Sequence, residues 1–149
     1  GATLTELRQA FLEAETELTG GATARVAPFI QLGDVGALVQ RAGPKLPVTD
    51  VETHIVRYGS ALALCADLKR LGAANPLAER PARPMTRTLL AAAANAYERL
   101  AGDPDGRVRA TLELVWLSGW APHESQQQPL RPGSAKVNLR QVLGDKSKN

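Results

Sequence analysis

The side chains best suited to chemistry are few and scattered. Histidine stands only at His54 and His123, and the single cysteine is Cys65. A structural zinc site takes four Cys or His ligands at short, repeated spacings, and none of these three residues has a neighbour so placed. A metal centre is therefore not expected. His123 directly precedes Glu124 and Ser125. Neighbours along a chain rarely converge on one substrate atom, so the trio is not a triad by proximity, though His123 stays a candidate to line a binding site. Cys65 sits in an apolar helical stripe with no electropositive partner, the setting of a small packing residue and not of a nucleophile. His54, on an alternating stretch, reads as a half-buried surface side chain. Trp120 follows Gly119 at the end of an apolar run and could pack or bind. Arg70, Arg80, Arg87 and Arg107 bracket a Pro-rich loop and a turn. They form a solvated rim or recognise a carboxylate, and both possibilities stay open.

A nucleoside cofactor usually rests on a strand, a Gly-rich turn and a helix N-terminus, with an acidic residue ending the next strand. Gly33 and Gly36 follow no strong strand, and Gly20 with Gly21 closes a helical pattern, so both pairs read as helix punctuation. Eighteen Lys and Arg against fifteen Asp and Glu leave a net charge of +3. With no clustered basic run, nucleic-acid binding is not expected. The 149 residues, 44% of them hydrophobic, suffice for one domain with a buried core. A single cysteine excludes an internal disulfide, and no apolar run reaches membrane-spanning length. The N-terminus carries neither a basic region nor an apolar one of the targeting kind.

The elements that must position these residues follow from periodicity. Thr3 and Glu6 have capping-box spacing, and Leu4, Leu7, Phe11, Ala14 and Leu18 then form a helical stripe. Val35, Leu38, Val39 and Ala42 suggest a shorter helix closed by Gly43 and Pro44. Val48 to Tyr58 alternates as a strand. Ser60 caps a helix through Ala61, Leu64, Cys65 and Leu68, closed by Gly72, and 73–84 is a loop. Thr86 caps a helix through Leu89, Ala93, Tyr97 and Leu100, ended by Gly102. After a turn at 103–106, the stretch from Arg107 to Leu117 is the clearest strand, with Val108, Ala110, Leu112, Leu114 and Trp116 alternating on a core-facing side. Residues 1–122 make one domain, and 123–149 an extended tail with a helical turn near Val137 to Leu143. Two strands make an incomplete sheet, because each has a hydrogen-bonding edge that needs a partner.

Four blocks carry a family resemblance: Thr3 to Arg8 (TLTELR), Asp67 to Asn75 (DLKRLGAAN), Asp105 to Thr111 (DGRVRAT) and Leu117 to Lys136 (LSGWAPHESQQQPLRPGSAK). Together they resemble the C-terminal half of a class I S-adenosylmethionine-dependent methyltransferase. The family includes the respiratory complex I assembly methyltransferase and, more distantly, the malonyl-carrier-protein methyltransferase of biotin synthesis. The resemblance implies an α/β fold, the C-terminal part of a seven-stranded Rossmann-like sheet, here mostly helical with two long antiparallel strands. It makes these the sixth and seventh strands, with the Thr3 block just after the fifth. It places Glu6 and Arg8 near the active-site mouth as substrate contacts and assigns no catalytic group; Tyr58, Arg87, Trp120 and His123 complete the set of candidate substrate-binding residues.

By this resemblance S-adenosylmethionine serves the complete parent, while this chain lacks the cofactor-binding half and is expected to be inactive alone. The expected partners are the missing N-terminal half, or a second copy through an orphan strand edge, and a protein or carrier-bound substrate. The alternative is a non-enzymatic interaction module of a respiratory-complex assembly factor, using the Leu4 to Leu18 stripe and the tail. The expected location is the bacterial cytoplasm, or the mitochondrial matrix in a eukaryote. The sequence encoded upstream of Gly1 is expected to contain a strand, a glycine-rich turn, a helix and an acidic strand end.

Overall fold

In a computed structural model, which describes residues 1–78, 80–81, 84–126 and 133–134, the spacing of apolar residues becomes two packed helices. Helix α1 (Thr5–Thr19) buries Leu7, Ala10, Phe11 and Ala14, and helix α4 (Arg87–Ala101) buries Leu89, Ala93, Ala96, Tyr97 and Ala101. Alanine on both stripes lets the helix axes approach closely, which suits a core with few aromatics. Between them in sequence lie α2 (Leu32–Ala42), strand β1 (Lys45–Tyr58) and α3 (Ala61–Arg70); β2 (Val108–Trp120) comes last. Ser60 and Thr86 cap α3 and α4 as their types predict, accepting from the amides of Ala63 and Leu89, each at 3.1 Å. Gly102 ends α4 where only glycine fits, since a Cβ there would stand 2.3 Å from the Glu98 carbonyl.

The two strands pair antiparallel, with Tyr58 opposite Val108 and Lys45 opposite Trp120. One face carries Val108 and Ala110, each 1% exposed, into the core formed with α1, α3 and α4. The other face, at Thr49 and Val51, meets α2, whose Gly36 lies beside the Thr49 hydroxyl. Near Trp120 the strands are drawn together at Gly119, where an added Cβ would approach Pro44 to 2.9 Å.

Four expectations are corrected. Thr3 and Glu6 form no capping box: the N-cap of α1 is Leu4, left-handed at φ 52°, with no side-chain cap, and both polar side chains bond to β2 instead. Gly33 and Gly36 are not punctuation but lie inside α2, whose apolar face outweighs the helix penalty of glycine. Gly20, at φ 71°, does close α1. Trp116 shares the face of Val108 and Ala110, yet is 58% exposed. At about 3.3 Å per residue β2 runs on the order of 40 Å, farther than the helices that cover its first turns. Both strands also extend beyond the expected bounds. The expected helical turn at Val137 to Leu143 lies outside the described residues.

Two polar contacts fix the core. Tyr97 is fully buried, and its hydroxyl donates to the Arg109 carbonyl at 2.8 Å, tying α4 to β2. Glu15, on the buried side of α1, accepts from Thr23 N at 2.7 Å, Thr23 Oγ1 at 2.6 Å and Arg25 Nε at 2.6 Å. Burial by itself pushes the Glu15 carboxyl up, but the Thr23 and Arg25 bonds outweigh it and hold the group below its ordinary value.

A Tyr97→Phe variant strands the Arg109 carbonyl and should lose about 1–3 kcal/mol in urea unfolding. For Glu15, depressed in the folded state, the stabilisation is complete above its unfolded pKa of about 4.3 and is lost as pH falls through the lower folded value. Denaturation followed from neutral to acid pH should therefore show a loss of stability that is weaker in Glu15→Gln, itself less stable at neutral pH.

Candidate functional site

The best-organised polar cluster lies where the start of the chain meets the middle of β2. Residues Ala2 to Leu4 run along the β2 edge that faces away from β1, and Leu4 N–H donates to the Thr111 carbonyl at 2.8 Å. The Thr3 hydroxyl donates to the Glu113 carbonyl at 3.2 Å and accepts from the Glu113 amide at 2.9 Å. The Glu6 carboxylate takes the Thr111 hydroxyl and, at 3.3 Å, its amide. Short side chains thus do on this edge what a neighbouring strand would do.

An open cleft adjoins the cluster, lined by Gly1, Ala2, Gln31, Leu32, Val51 and Glu113. Glu113 supplies its charged side chain, and the carboxylate accepts from Ala2 N at 3.0 Å. Arg8, one turn along α1, reaches the Thr3 carbonyl through Nη2 at 3.4 Å, while its Nε is enclosed without a hydrogen-bond partner among the described residues.

The other sequence-derived candidates are dispersed. Tyr58, at the end of β1, donates to Asp67 at 3.1 Å; burial first, and then that carboxylate, push its hydroxyl pKa up. Arg87 is exposed in the first turn of α4. Trp120 is 67% exposed at the far end of the sheet from Tyr58, roughly 40 Å along the strand. His123 sits beyond it in an exposed turn, with Nδ1 2.8 Å from the Ser125 hydroxyl. Glu6 and Arg8 are therefore brought to the edge cluster, through Thr111 and the Thr3 carbonyl, and none of the six candidates lines the cleft itself.

The isolated residues fall into place similarly. Cys65 is half-buried against the α1–α4 core, and burial pushes its thiol up, away from the reactive thiolate. His54 lies 3.0 Å from Glu52 on the exposed strand. Among the described residues no three His, Cys, Asp or Glu side chains group as metal ligands. At the turn before β2, Asp103 takes both Arg57, at 2.9 Å, and Arg109, at 3.1 Å, and Asp105 takes Arg57 at 2.6 Å. Sequence reasoning had grouped Arg107 with a rim and missed this cross-strand arginine pair. Asp103 and Asp105 lie in the turn that leads from α4 into β2, and the antiparallel pairing brings Arg57 at the end of β1 opposite Arg109 at the start of β2.

Compared with known proteins, the chain is 37% identical over 146 residues to the mitochondrial arginine-hydroxylase NDUFAF5 of Dictyostelium discoideum, 97% of this chain and 33% of that protein. It is 37% identical to the human NDUFAF5 over 95% of this chain and 41% of the relative. It is 39% identical to the malonyl-[acyl-carrier protein] O-methyltransferase of Laribacter hongkongensis over 88% of this chain and 41% of the enzyme. The chain is a homologue of these two groups of proteins. It spans between a third and just under half of the length of the curated relatives it matches. No family model and no solved structure matches it.

The residues described do not fit a nucleoside cofactor of the kind a methyltransferase uses. The turn Gly59–Ser60 does lead from β1 into α3, but it holds one glycine, and Ser60 Oγ already takes the Ala63 amide that an anionic or ribosyl group would need. No glycine-rich turn follows a strand elsewhere among the described residues, and β2 ends in Trp120, not in an acidic residue.

The edge cluster has a measurable weight. Thr3→Val removes both Glu113 contacts and should lower the urea midpoint by about 1–2 kcal/mol equivalent. Thr3→Ser, which keeps the hydroxyl, should retain most of the stability.

Proposed function

We propose that this chain is the substrate-facing, C-terminal part of an S-adenosylmethionine-dependent methyltransferase-like protein, and that it does not carry out methyl transfer by itself. The observation that supports this most is the alignment: nearly the whole chain matches, while less than half of each relative is accounted for. The two-stranded sheet is in keeping with it, because β2 presents a second edge on which a larger sheet would continue. On this reading β1 and β2 are the sixth and seventh strands, and the preceding strand of the parent lies along the outer edge of β2. The parent binds the cofactor with its N-terminal half.

In this proposal the cleft beside Glu113 faces the reacting groups, with Glu6 and Arg8 at its mouth positioning a protein side chain or a carrier-bound acid. Their part is orientation, which can supply a large share of a group-transfer barrier. Tyr58, Arg87, Trp120 and His123 serve as outer substrate contacts. Both transfer of a methyl group to oxygen and hydroxylation of an arginine occur among the relatives' names, and the proposal covers the scaffold they share. Its expected location is the bacterial cytoplasm or the mitochondrial interior.

The alternative of a non-enzymatic interaction module loses part of its motivation. Leu4, Leu7, Phe11 and Ala14 are buried against α4 and are not free to bind a partner; only Leu18 of that stripe, 47% exposed, remains outside.

Calorimetry with S-adenosylmethionine decides between the halves. The 149-residue chain should give no saturable heat. The polypeptide extended by the sequence encoded upstream of Gly1 should bind the cofactor, and absence of binding by the extended protein at millimolar cofactor overturns the proposal.

A further inference from the structure

We infer that Asn75, just beyond α3, is a positioning residue for the wall of the cleft that α2 supplies: it grips the connection between α1 and α2 by its backbone and so sets where α2 rests on the sheet. This rests on the reading of that cleft as substrate-facing. The block Asp67 to Asn75 (DLKRLGAAN) carries part of the family resemblance, yet none of its residues lines the cleft. Its geometry leads to Asn75. Helix α3 closes with Ala73 N–H donating to the Leu68 carbonyl at 2.9 Å and Gly72 N–H to the Lys69 carbonyl at 3.1 Å, and Gly72 is left-handed at φ 70°. This paired closure fixes the direction in which the chain leaves the helix.

Both ends of the Asn75 side chain are engaged. Its amide nitrogen donates to the Ala24 carbonyl at 2.5 Å and to the Arg25 carbonyl at 3.2 Å, and its oxygen accepts from Leu77 N at 3.1 Å. The two carbonyls belong to the stretch that Glu15 holds through Thr23 and Arg25. Glu15 ties this stretch to its own helix, whereas Asn75 ties it to the end of α3, which packs on α4 and β1. Val26 then packs against the core, and Pro28 stiffens the remaining steps to Gln31 and Leu32, which line the cleft.

Helix α2 has little else to place it. Of its 11 residues only Val35 is buried, and the helix packs on β1. A helix this short is marginal by itself, so its attachments decide its position. Gly43, left-handed at φ 86°, closes it at one end, and the clamped connection enters it at the other. Without the Asn75 amide the Ala24 and Arg25 carbonyls turn to water and the connection follows α1 alone. The wall at Gln31 and Leu32 then loses its set distance from Val51 and Glu113, across the cleft.

Hydrogen exchange of the full chain, followed by mass spectrometry on peptides covering 26–42, α1 and α4, tests this with neither cofactor nor substrate present. Asn75→Ala should speed exchange across 26–42 by about fivefold, the weight of an ordinary hydrogen bond, while α1 and α4 keep their protection. Asn75→Asp, equal in size but turning an acceptor toward both carbonyls, should speed it more than alanine does. A side chain that merely filled space would give the opposite order. Unchanged exchange across 26–42 in both variants overturns the inference, as does an acceleration shared equally by α1 and α4, or alanine proving the more severe change. The alanine variant decides alone if the aspartate variant does not fold. Exchange reads the placement of α2 and calorimetry reads the cofactor, so this inference and the proposed function fail separately.

Discussion

A strand has two hydrogen-bonding edges, and among the described residues only one edge of β2 is served by another strand. The rest of the structure is arranged around the other edge. Its first half is sealed by a short extended segment, by the hydroxyls of Thr3 and Tyr97 and by the carboxylate of Glu6. Those contacts anchor both α1 and α4 to the sheet, and so set where the core closes over Val108 and Ala110. An unsatisfied buried amide or carbonyl costs about 1–3 kcal/mol, comparable to a large share of a small domain's stability.

The same constraint explains the gradient of burial along β2. Where the edge is sealed, helices cover one face of the strand and Val108 and Ala110 are in the core. Beyond Glu113 the backbone groups that face away from β1 have no partner among the described residues, and the side chains lose their cover along the same stretch, so that Trp116 and Trp120 stand in solvent.

The polar interior follows a related logic. Glu15 occupies a position on the apolar side of α1, where a lone carboxylate would be costly, and it is tolerated because Thr23 and Arg25 meet its oxygens. That bond set holds the segment after α1 against the helix, and Asn75 adds a further tie by donating to the Ala24 carbonyl at 2.5 Å. The chain between α1 and α2 is thereby fixed without regular structure of its own.

Much of the local structure was legible in residues alone. Among the described residues periodicity located the four helices and both strands, and Ser60, Thr86, Gly20 and Gly43 marked helix ends because capping and left-handed geometry depend on side chains within a few residues of one another. The four sequence blocks were enough to point to the methyltransferase relatives. What needed the tertiary structure was every choice between a local and a distant partner. Thr3 and Glu6 had the spacing of a capping box, but Thr111 and Glu113, more than a hundred residues away, offered backbone groups with no other partner, and those took them. Trp116 had the alternation of a core residue, but burial depends on how far a helix layer reaches along a strand, which no spacing within the strand records.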